Sequence, residues 1–239
     1  MSRPQVEASQ QQAPEAVLFD MDGTLFDSER LWDVSLDELA IMLGGTLSGR
    51  TRRQVVGGDL LDTVRIIHRD LGVEADEDHS ARWLLERTRQ LFAGGVRWRP
   101  GARAVVEAVK AAGIPRALVT SSRRVLVDAV LAQLEPGLFE VVVCGDEVTR
   151  PKPDPEGYLT AASRLGVEAA NCVVLEDSPR GIAAARAAGC VVVAVPESGQ
   201  TCPTADCTDA DRTGDHQMII TSIETITVDQ LAAWVRSRT

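Results

Sequence analysis

The chain has little of what a membrane protein or a nucleic-acid-binding protein needs. Its longest apolar runs, such as CVVVAV from Cys190, are far too short to cross a bilayer, and the polar start MSRPQVEASQQQAPE lacks the apolar core of a signal peptide. Basic residues number 25 against 35 acidic ones, so the formal net charge is -10. This charge argues against a nucleic acid or an anionic membrane as the main partner and suits divalent cations better. We therefore expect a cytoplasmic protein.

The sequence also lacks the cysteine and histidine sets that build disulfide frameworks or zinc sites. Its five cysteines are an odd number, and Cys144, Cys172 and Cys190 lie in or beside apolar, strand-like runs, where cysteine usually acts as a small buried hydrophobe. Cys202 and Cys207 in TCPTADC have no second cysteine pair or histidine cluster that would complete a metal site. No internal repeat is present.

What the chain does have is a regular alternation of strand-like and helix-like segments. A length of 239 residues with 44% hydrophobic content can bury a sizeable core. Beyond a Gln-rich tail over residues 1–14, expected to be disordered, short β-branched runs alternate with segments of helical period. The runs begin at Ala16, Arg116, Phe139, Cys172 and Val191. Helices are predicted at Gly101–Ala112, Arg124–Leu134, Pro155–Leu165 and Pro179–Ala188, and an edge strand at Met218–Thr221 and a helix from Val228 follow.

This alternation predicts the α/β class, with an open, doubly wound parallel sheet whose continuously apolar strands are covered by helices on both faces. Between the first strand and Arg97 the pattern changes to about seventy residues of helical period, read as three helices separated by the loops GGTLSGR and GVEADEDH. We predict a core domain over residues 15–27 and 98–239 and an inserted helical cap domain over residues 28–97. A cap at this point would lie above the carboxyl ends of the strands, where open α/β sheets bind ligands.

The carboxyl ends of the predicted strands carry one consistent set of polar residues. They supply four carboxylates, three hydroxyls and one lysine: Asp20, Asp22, Thr120, Ser121, Ser122, Lys152, Glu176 and Asp177. Four acidic groups in one crevice repel one another unless a cation is present, so the cluster implies a hard divalent metal with oxygen ligands, most simply Mg²⁺. Lysine and hydroxyls beside such a metal can hold a phosphoryl group, and a metal-adjacent aspartate is a credible nucleophile towards phosphorus.

Four short motifs connect these residues to a known family. They are DMDGTL (20–25), VTSS (119–122), KPDP (152–155) and EDSPRG (176–181), in this order along the chain. With these motifs the sequence resembles the haloacid dehalogenase superfamily, in the branch of phosphatases and β-phosphoglucomutase-like proteins with a helical cap. The resemblance covers nearly the whole chain, and the four motifs together are far more specific than any one of them.

The resemblance implies a division of labour between the two aspartates of the first motif. Asp20 would be the nucleophile that forms an aspartyl-phosphate, and Asp22 would protonate the leaving oxygen and then deprotonate the attacking water. Gly23 would permit the sharp turn that frees backbone N–H groups to point at the phosphoryl oxygens. The resemblance makes the substrate a small-molecule phosphate ester.

The other motifs would bind the phosphoryl group and the metal. Thr120 with the Ser121 backbone would bind a non-bridging oxygen, Ser122 would belong to the same substrate site, and Lys152 would neutralise charge on Asp20 and on the phosphoryl group. Mg²⁺ would be held by the Asp20 carboxylate, the Asp22 carbonyl and Asp177, and by Glu176 directly or through water.

In the cap, substrate choice is assigned to SGRTRRQVVGG, which carries Arg50, Arg52 and Arg53. In related enzymes an arginine three residues beyond a glycine binds a second phosphate, and here this is Arg52 after Gly49. The alternative is a solvated basic turn.

Simpler interpretations remain open for several residues. Asp20 or Asp22 alone could cap a turn, and Lys152 between two prolines could be a solvated loop residue. Ser122 could be the N-cap of the following helix, and Glu176 could merely lie near the helix start at Ser178.

Three other functions also remain open. A phosphoglucomutase is the first alternative to a phosphatase, although arginine replaces the asparagine that mutases carry two places beyond the last serine of the second motif. A dehalogenase fits less well because it needs no second aspartate, and a catalytically silent binding protein would have lost a motif residue. We expect a monomer.

Overall fold

Six parallel strands form the centre of the computed structural model, which describes residues 13–55, 60–195, 217–220 and 222–237. The strands are β1 Ala16–Phe19, β2 Arg116–Val119, β3 Val141–Val143, β4 Cys172–Glu176, β5 Val191–Ala194 and β6 Gln217–Ile219. Their spatial order is β3-β2-β1-β4-β5-β6, with β1 between β2 and β4. The order runs outward from β1 in both directions, so the predicted doubly wound open sheet is confirmed.

Nine α-helices are present among the described residues. They are α1 Glu29–Met42, α2 Gly49–Val55, α3 Leu60–Leu71, α4 Glu77–Ala93, α5 Ala102–Ala111, α6 Arg124–Leu131, α7 Glu156–Leu165, α8 Pro179–Ala187 and α9 Val228–Arg236. Along β1, alternate side chains enter two different apolar clusters, since Val17 and Phe19 belong to one and Ala16 and Leu18 to the other. The first cluster includes residues of α5, α6 and α9, and the second includes residues of α7 and α8. Both faces of the sheet are therefore buried, as the unbroken apolar strands predict.

Helices α1 to α4, here called the helical insertion (residues 29–93), form an apolar cluster of their own around Leu39, Ile67 and Leu84. The last helix of the insertion, α4, packs against the core of the sheet. Its residue Phe92 belongs to a core cluster of the sheet, and the Phe92 carbonyl accepts a 2.8 Å hydrogen bond from Gln133 Nε2. A division of the chain into core and cap domains at residues 28 and 97 stays a prediction. No helix among the described residues is long and apolar enough to span a membrane.

One prediction for the insertion is wrong. Part of the segment read as a loop, GGTLSGR and the arginines after it, forms the short helix α2. The hydroxyl of Ser48 accepts the backbone N–H of Thr51 at 3.2 Å, and the backbone N–H of Ser48 donates to Asp70 of α3 at 3.0 Å. The helix start is thus held by a residue distant in sequence, a contact that local pattern does not show.

Some sequence predictions fall outside the described residues. These are residues 1–12 of the predicted tail, the pair Cys202 and Cys207, and residues 200–216 of the polar segment. The predicted edge strand is present as β6, and the predicted final helix is α9, which begins at Val228 as expected.

Candidate active site

The carboxyl edge of the sheet brings the predicted residues of the four motifs together. Asp20 is the first residue beyond β1 and its backbone N–H donates to the Leu175 carbonyl of β4 at 3.0 Å. Thr120 follows β2, and Glu176 is the last residue of β4. Because these strands are adjacent and parallel, their ends open at the same edge.

Lys152 is the buried centre of this arrangement, so the alternative of a solvated loop lysine is wrong. Its ammonium donates to Asp20 Oδ1 at 2.7 Å, to Glu176 Oε1 at 2.7 Å and to the Val119 carbonyl at 3.0 Å. All three of its N–H groups thus have acceptors, which fixes the charge beside Asp20.

Three carboxyl groups lie close enough together to share a cation. Oxygen atoms of Asp20, Glu176 and Asp177 all lie within 4.8 Å of one another. Burial raises the pKa of Asp20 well above its usual range; Lys152 opposes this and the neighbouring Glu176 and Asp177 add to it. Burial, followed by the charge of Glu176, raises the pKa of Asp177 to about 7. When they are ionised, these buried carboxyl groups repel one another. A hard divalent cation bound between their oxygens would offset that repulsion, so the cluster fits such a cation.

Gly23 makes the turn that brings the first motif against Asp177. Its φ is +78°, and a Cβ at this position would lie 2.2 Å from Asp177 Oδ2. The next residue, Thr24, donates from Oγ1 to Asp177 Oδ1 at 2.8 Å. The predicted turn is therefore present, but the N–H of Gly23 itself is used by the Phe26 carbonyl at 3.0 Å and does not point freely at a ligand.

Asp22 has partners different from those of Asp20, namely three hydroxyl groups. Ser28 Oγ donates to Oδ1 at 2.6 Å, while Ser122 Oγ and Thr120 Oγ1 donate to Oδ2 at 2.7 and 3.2 Å. The two aspartates thus have different partners, because Asp20 meets a lysine and Asp22 meets hydroxyls, and the charge of Asp22 still adds to the raised pKa of Asp20.

The hydroxyl contacts of Asp22 also decide between two interpretations of the second motif. Ser122 is not the N-cap of α6, because Arg123 occupies that position and the Ser122 side chain contacts Asp22. The hydroxyls predicted to bind a phosphoryl oxygen, Thr120 and Ser122, here contact Asp22, while the Ser121 residue is exposed.

Glu176 has a complete set of partners of its own. Oε1 accepts from Lys152 Nζ at 2.7 Å and from the Tyr158 hydroxyl at 3.1 Å, and Oε2 accepts from the backbone N–H and the hydroxyl of Ser178 at 2.8 and 3.0 Å. Glu176 therefore lies at the start of α8, as the simpler interpretation had it, and also within the carboxyl cluster. Sequence reasoning missed Tyr158 and Ser28, because neither belongs to a motif.

Comparison with known proteins identifies the family. Residues 14–189 match the family described as haloacid dehalogenase-like hydrolase. The chain belongs to this family. The predictions of the family and of a hydrolase enzyme within it are confirmed.

Several relatives of this haloacid dehalogenase-like hydrolase carry phosphatase names. It is 34% identical over 177 residues to the phosphorylated carbohydrates phosphatase of Thermotoga maritima, covering 73% of this chain and 82% of the relative. It is 31% identical over 223 residues to hexitol phosphatase A of Escherichia coli, covering 88% of this chain and 92% of the relative.

A solved structure supports the same assignment. The crystal structure of CbbY from Rhodobacter sphaeroides in complex with phosphate matches with a TM-score of 0.69 and 27% identity, over 88% of this chain and 95% of that one. The fold and the family are thus established by sequence and by structure.

Arg52 stays apart from the motif residues in its contacts. It lies in α2 and forms ion pairs with Asp37 and, at 3.9 Å, with Asp33, both in α1 of this hydrolase. Its predicted role in binding a second phosphate remains a prediction.

Proposed function

We propose that this enzyme is a monomeric, Mg²⁺-dependent hydrolase of phosphate monoesters of small metabolites that works through an aspartyl-phosphate on Asp20. The observation that carries the proposal is the buried contact between Lys152 and Asp20 next to the other carboxyl groups. A cation on one side and an ammonium on the other would let one anion, the Asp20 carboxylate, attack another, the phosphoryl group.

The reaction uses Asp20 and Asp22 in two balanced steps. In the first, a carboxylate oxygen of Asp20 forms a bond to phosphorus, the bond from phosphorus to the ester oxygen breaks, and Asp22 gives its proton to that oxygen. In the second, Asp22 takes a proton from water, the water oxygen bonds to phosphorus, and phosphate leaves Asp20. The hydroxyls of Ser28 and Ser122 hold the Asp22 carboxyl group in place during both proton transfers.

The remaining residues neutralise charge and hold the metal. Mg²⁺ would be held by the Asp20 carboxylate, Asp177 and the Asp22 carbonyl, and it would supply charge neutralisation for the phosphoryl transfer. Lys152 keeps its ammonium at Asp20 Oδ1, where it also faces the charge of the incoming phosphoryl group. The acidic, buried donor set supports this assignment, because charged oxygen ligands suit Mg²⁺.

A phosphorylated sugar or sugar alcohol is the first substrate class to try. Two of the relatives are named for phosphorylated carbohydrates and for hexitols. Arg52 in α2 of the helical insertion would read a second anionic group on such a substrate, once it exchanges Asp37 for that group.

A phosphoglucomutase remains the second candidate by fold, but the second motif favours hydrolysis. Arg124, which stands where mutases carry asparagine, directs its guanidinium to Glu147 at 2.8 Å and to the Val142 carbonyl at 3.1 Å. It is thus bound at the edge of the sheet by groups outside the motif cluster.

The proposal is tested by measuring phosphate release from sugar phosphates, hexitol phosphates, phosphoglycolate and nucleotides, with Mg²⁺ and with EDTA. Release that requires the metal, occurs with one class of ester and disappears in Asp20→Asn supports the phosphatase. Conversion of β-glucose 1-phosphate to glucose 6-phosphate without net release would replace it by the mutase. No turnover of any ester would favour a binding protein.

A further inference from the structure

Tyr158 is a polar residue in an apolar layer. It is the single tyrosine of the chain, it is fully buried in α7, and it belongs to a core cluster with Leu18, Val119 and Val174. A phenylalanine would fill the same volume, so packing does not account for the hydroxyl. The hydroxyl instead donates to Glu176 Oε1 at 3.1 Å.

The Tyr158 side chain also contacts Lys152. The Lys152 ammonium lies 5.0 Å from the centroid of the Tyr158 ring, within the range of a cation–π interaction. Tyr158 therefore touches both members of the Lys152–Glu176 ion pair, with its ring on the cation and its hydroxyl on the anion.

The hydrogen bonds to Glu176 hold its carboxylate in one position. Its two oxygens have four acceptor positions, and four donors fill them, one of which is the Tyr158 hydroxyl. Gly181 makes room for it, because a Cβ there would lie 1.5 Å from Glu176 Oε1. Removing one of the four donors leaves a fully buried acceptor unsatisfied, and the carboxylate must then shift or admit water.

We propose that Tyr158 is a positioning residue for the reaction proposed above: it fixes Glu176 and Lys152 together and so keeps the Lys152 ammonium at Asp20 Oδ1. The inference rests on the proposed function, since it assigns Tyr158 to the same site. The hydrogen bond of Tyr158 goes to Glu176 and its ring lies against Lys152, so it acts on Asp20 through these two partners.

The test uses Tyr158→Phe, which keeps the ring and the packing and removes only the hydroxyl. With p-nitrophenyl phosphate as the probe, we expect kcat to fall about tenfold, the size of a lost hydrogen bond to a charged group. The KM for the ester should stay unchanged, because the contacts of Tyr158 are to Glu176 and Lys152 and not to the ester. Thr88→Val is the matched control: it removes another fully buried hydroxyl, one that contacts Ser35 and the Leu84 carbonyl within the helical insertion, and it should leave kcat unchanged.

A second measurement reads the lysine directly and needs no turnover. The chain has two lysines, so labelling with ¹⁵N-lysine gives two ammonium signals, and Lys110, paired with Glu135 at the surface, is the internal reference. In Tyr158→Phe the protons of the Lys152 ammonium should exchange with water faster than in the parent, while those of Lys110 are unaffected. In Thr88→Val the exchange rates of both ammonium groups should match those of the parent.

The two readouts keep the two proposals apart. An unchanged Lys152 exchange rate in Tyr158→Phe, or faster exchange without any fall in kcat, would overturn the role of Tyr158. If the parent releases no phosphate from any ester, the proposed function fails, while the exchange rates still decide whether Tyr158 holds Lys152.

Discussion

Gly23 is a residue of the candidate site where both the backbone conformation and the space exclude a side chain. Its φ of +78° costs any other residue about 1–2 kcal/mol, and an added Cβ would lie 2.2 Å from Asp177 Oδ2. We expect Gly23→Ala to lower the free energy of unfolding and, by displacing Asp177, to raise the Mg²⁺ concentration needed for half-maximal phosphate release. Chemical denaturation and a Mg²⁺ titration of the rate measure the two effects.

Gly113→Ala is the matched control for this substitution. Gly113 has a φ of +70°, but nothing lies within 4 Å of an added Cβ. It should therefore show the backbone penalty without any change in the Mg²⁺ requirement. Equal Mg²⁺ requirements in the two variants would contradict the placement of Asp177 in the metal site.

Ser28 tests the assignment of Asp22 as the acid and base. It is fully buried, and its hydroxyl donates to Asp22 Oδ1 at 2.6 Å. We expect Ser28→Ala to lower kcat about tenfold, since Asp22 loses a hydrogen bond that orients it. Ser35→Ala removes another buried hydroxyl of α1, one that donates to the Trp32 carbonyl, and should reduce stability but not kcat. Similar kcat values for the two variants would remove Ser28 from the mechanism.

The motif residues were predictable from the sequence, but two of their hydrogen-bond partners, Ser28 and Tyr158, were not. Asp20, Glu176 and Asp177 stand at the ends of strands that the sequence predicts, and the topology brings such ends together, while Lys152 reaches them from the loop before α7. Ser28, which donates to Asp22, and Tyr158, which donates to Glu176, lie outside the four motifs, and their roles depend on the folded path of the chain. An isolated serine or tyrosine has no local pattern that announces such a contact.

Among the elements, α2 shows where pattern reading fails. Its seven residues, GRTRRQV, have too few apolar positions to display a helical period, and they begin with glycine. The longer helices α1, α3 and α4 were all anticipated, because each carries an apolar stripe that meets the others in one cluster. A short helix held by the tertiary contact between Ser48 and Asp70 gives no such signal.

The position of Arg52 in α2 leads to a prediction about substrate choice. If Arg52 reads a distal anionic group, Arg52→Ala should raise the KM for sugar bisphosphates about tenfold and change the KM for p-nitrophenyl phosphate, which has no second anionic group, little. Arg53→Ala removes the same charge from an exposed neighbour in α2 and is the control. Steady-state kinetics with both substrate types separate the variants. If Arg52→Ala raises the KM for both substrate types by the same small factor, Arg52 has no role in substrate binding and only forms the ion pair with Asp37.

At the scale of the whole molecule, the order of strands is what makes the site acidic. With β1 between β2 and β4, Asp20 and Asp177 come close at one edge, and burial first, with Glu176 second, raises the pKa of Asp177 to about 7, from an ordinary value of 3.8. The protonated form is therefore favoured by folding. Without metal, the free energy of unfolding should fall as the pH rises from the ordinary value through about 7.

Mg²⁺ should reverse this dependence, because the cation binds the ionised carboxyl groups and competes with their protons. We expect the rise in melting temperature on addition of Mg²⁺ to be small well below pH 7 and largest above it. Thermal unfolding with Mg²⁺ and with EDTA across this pH range measures the effect. An equal rise at all pH values would mean that Asp177 does not titrate at the metal site.

The central claim is that Asp20 carries the phosphoryl group, and trapping that group tests it most directly. In Asp22→Asn, p-nitrophenyl phosphate can still phosphorylate Asp20, because nitrophenolate leaves without an acid, but water lacks its base and the acyl phosphate accumulates. Quenching followed by borohydride reduction would convert the phosphorylated aspartate to homoserine, which peptide mass spectrometry locates. We predict homoserine at position 20 in Asp22→Asn and none in the doubly substituted Asp20→Asn, Asp22→Asn chain. Homoserine at position 177, or at no position while phosphate is still released, would contradict the account.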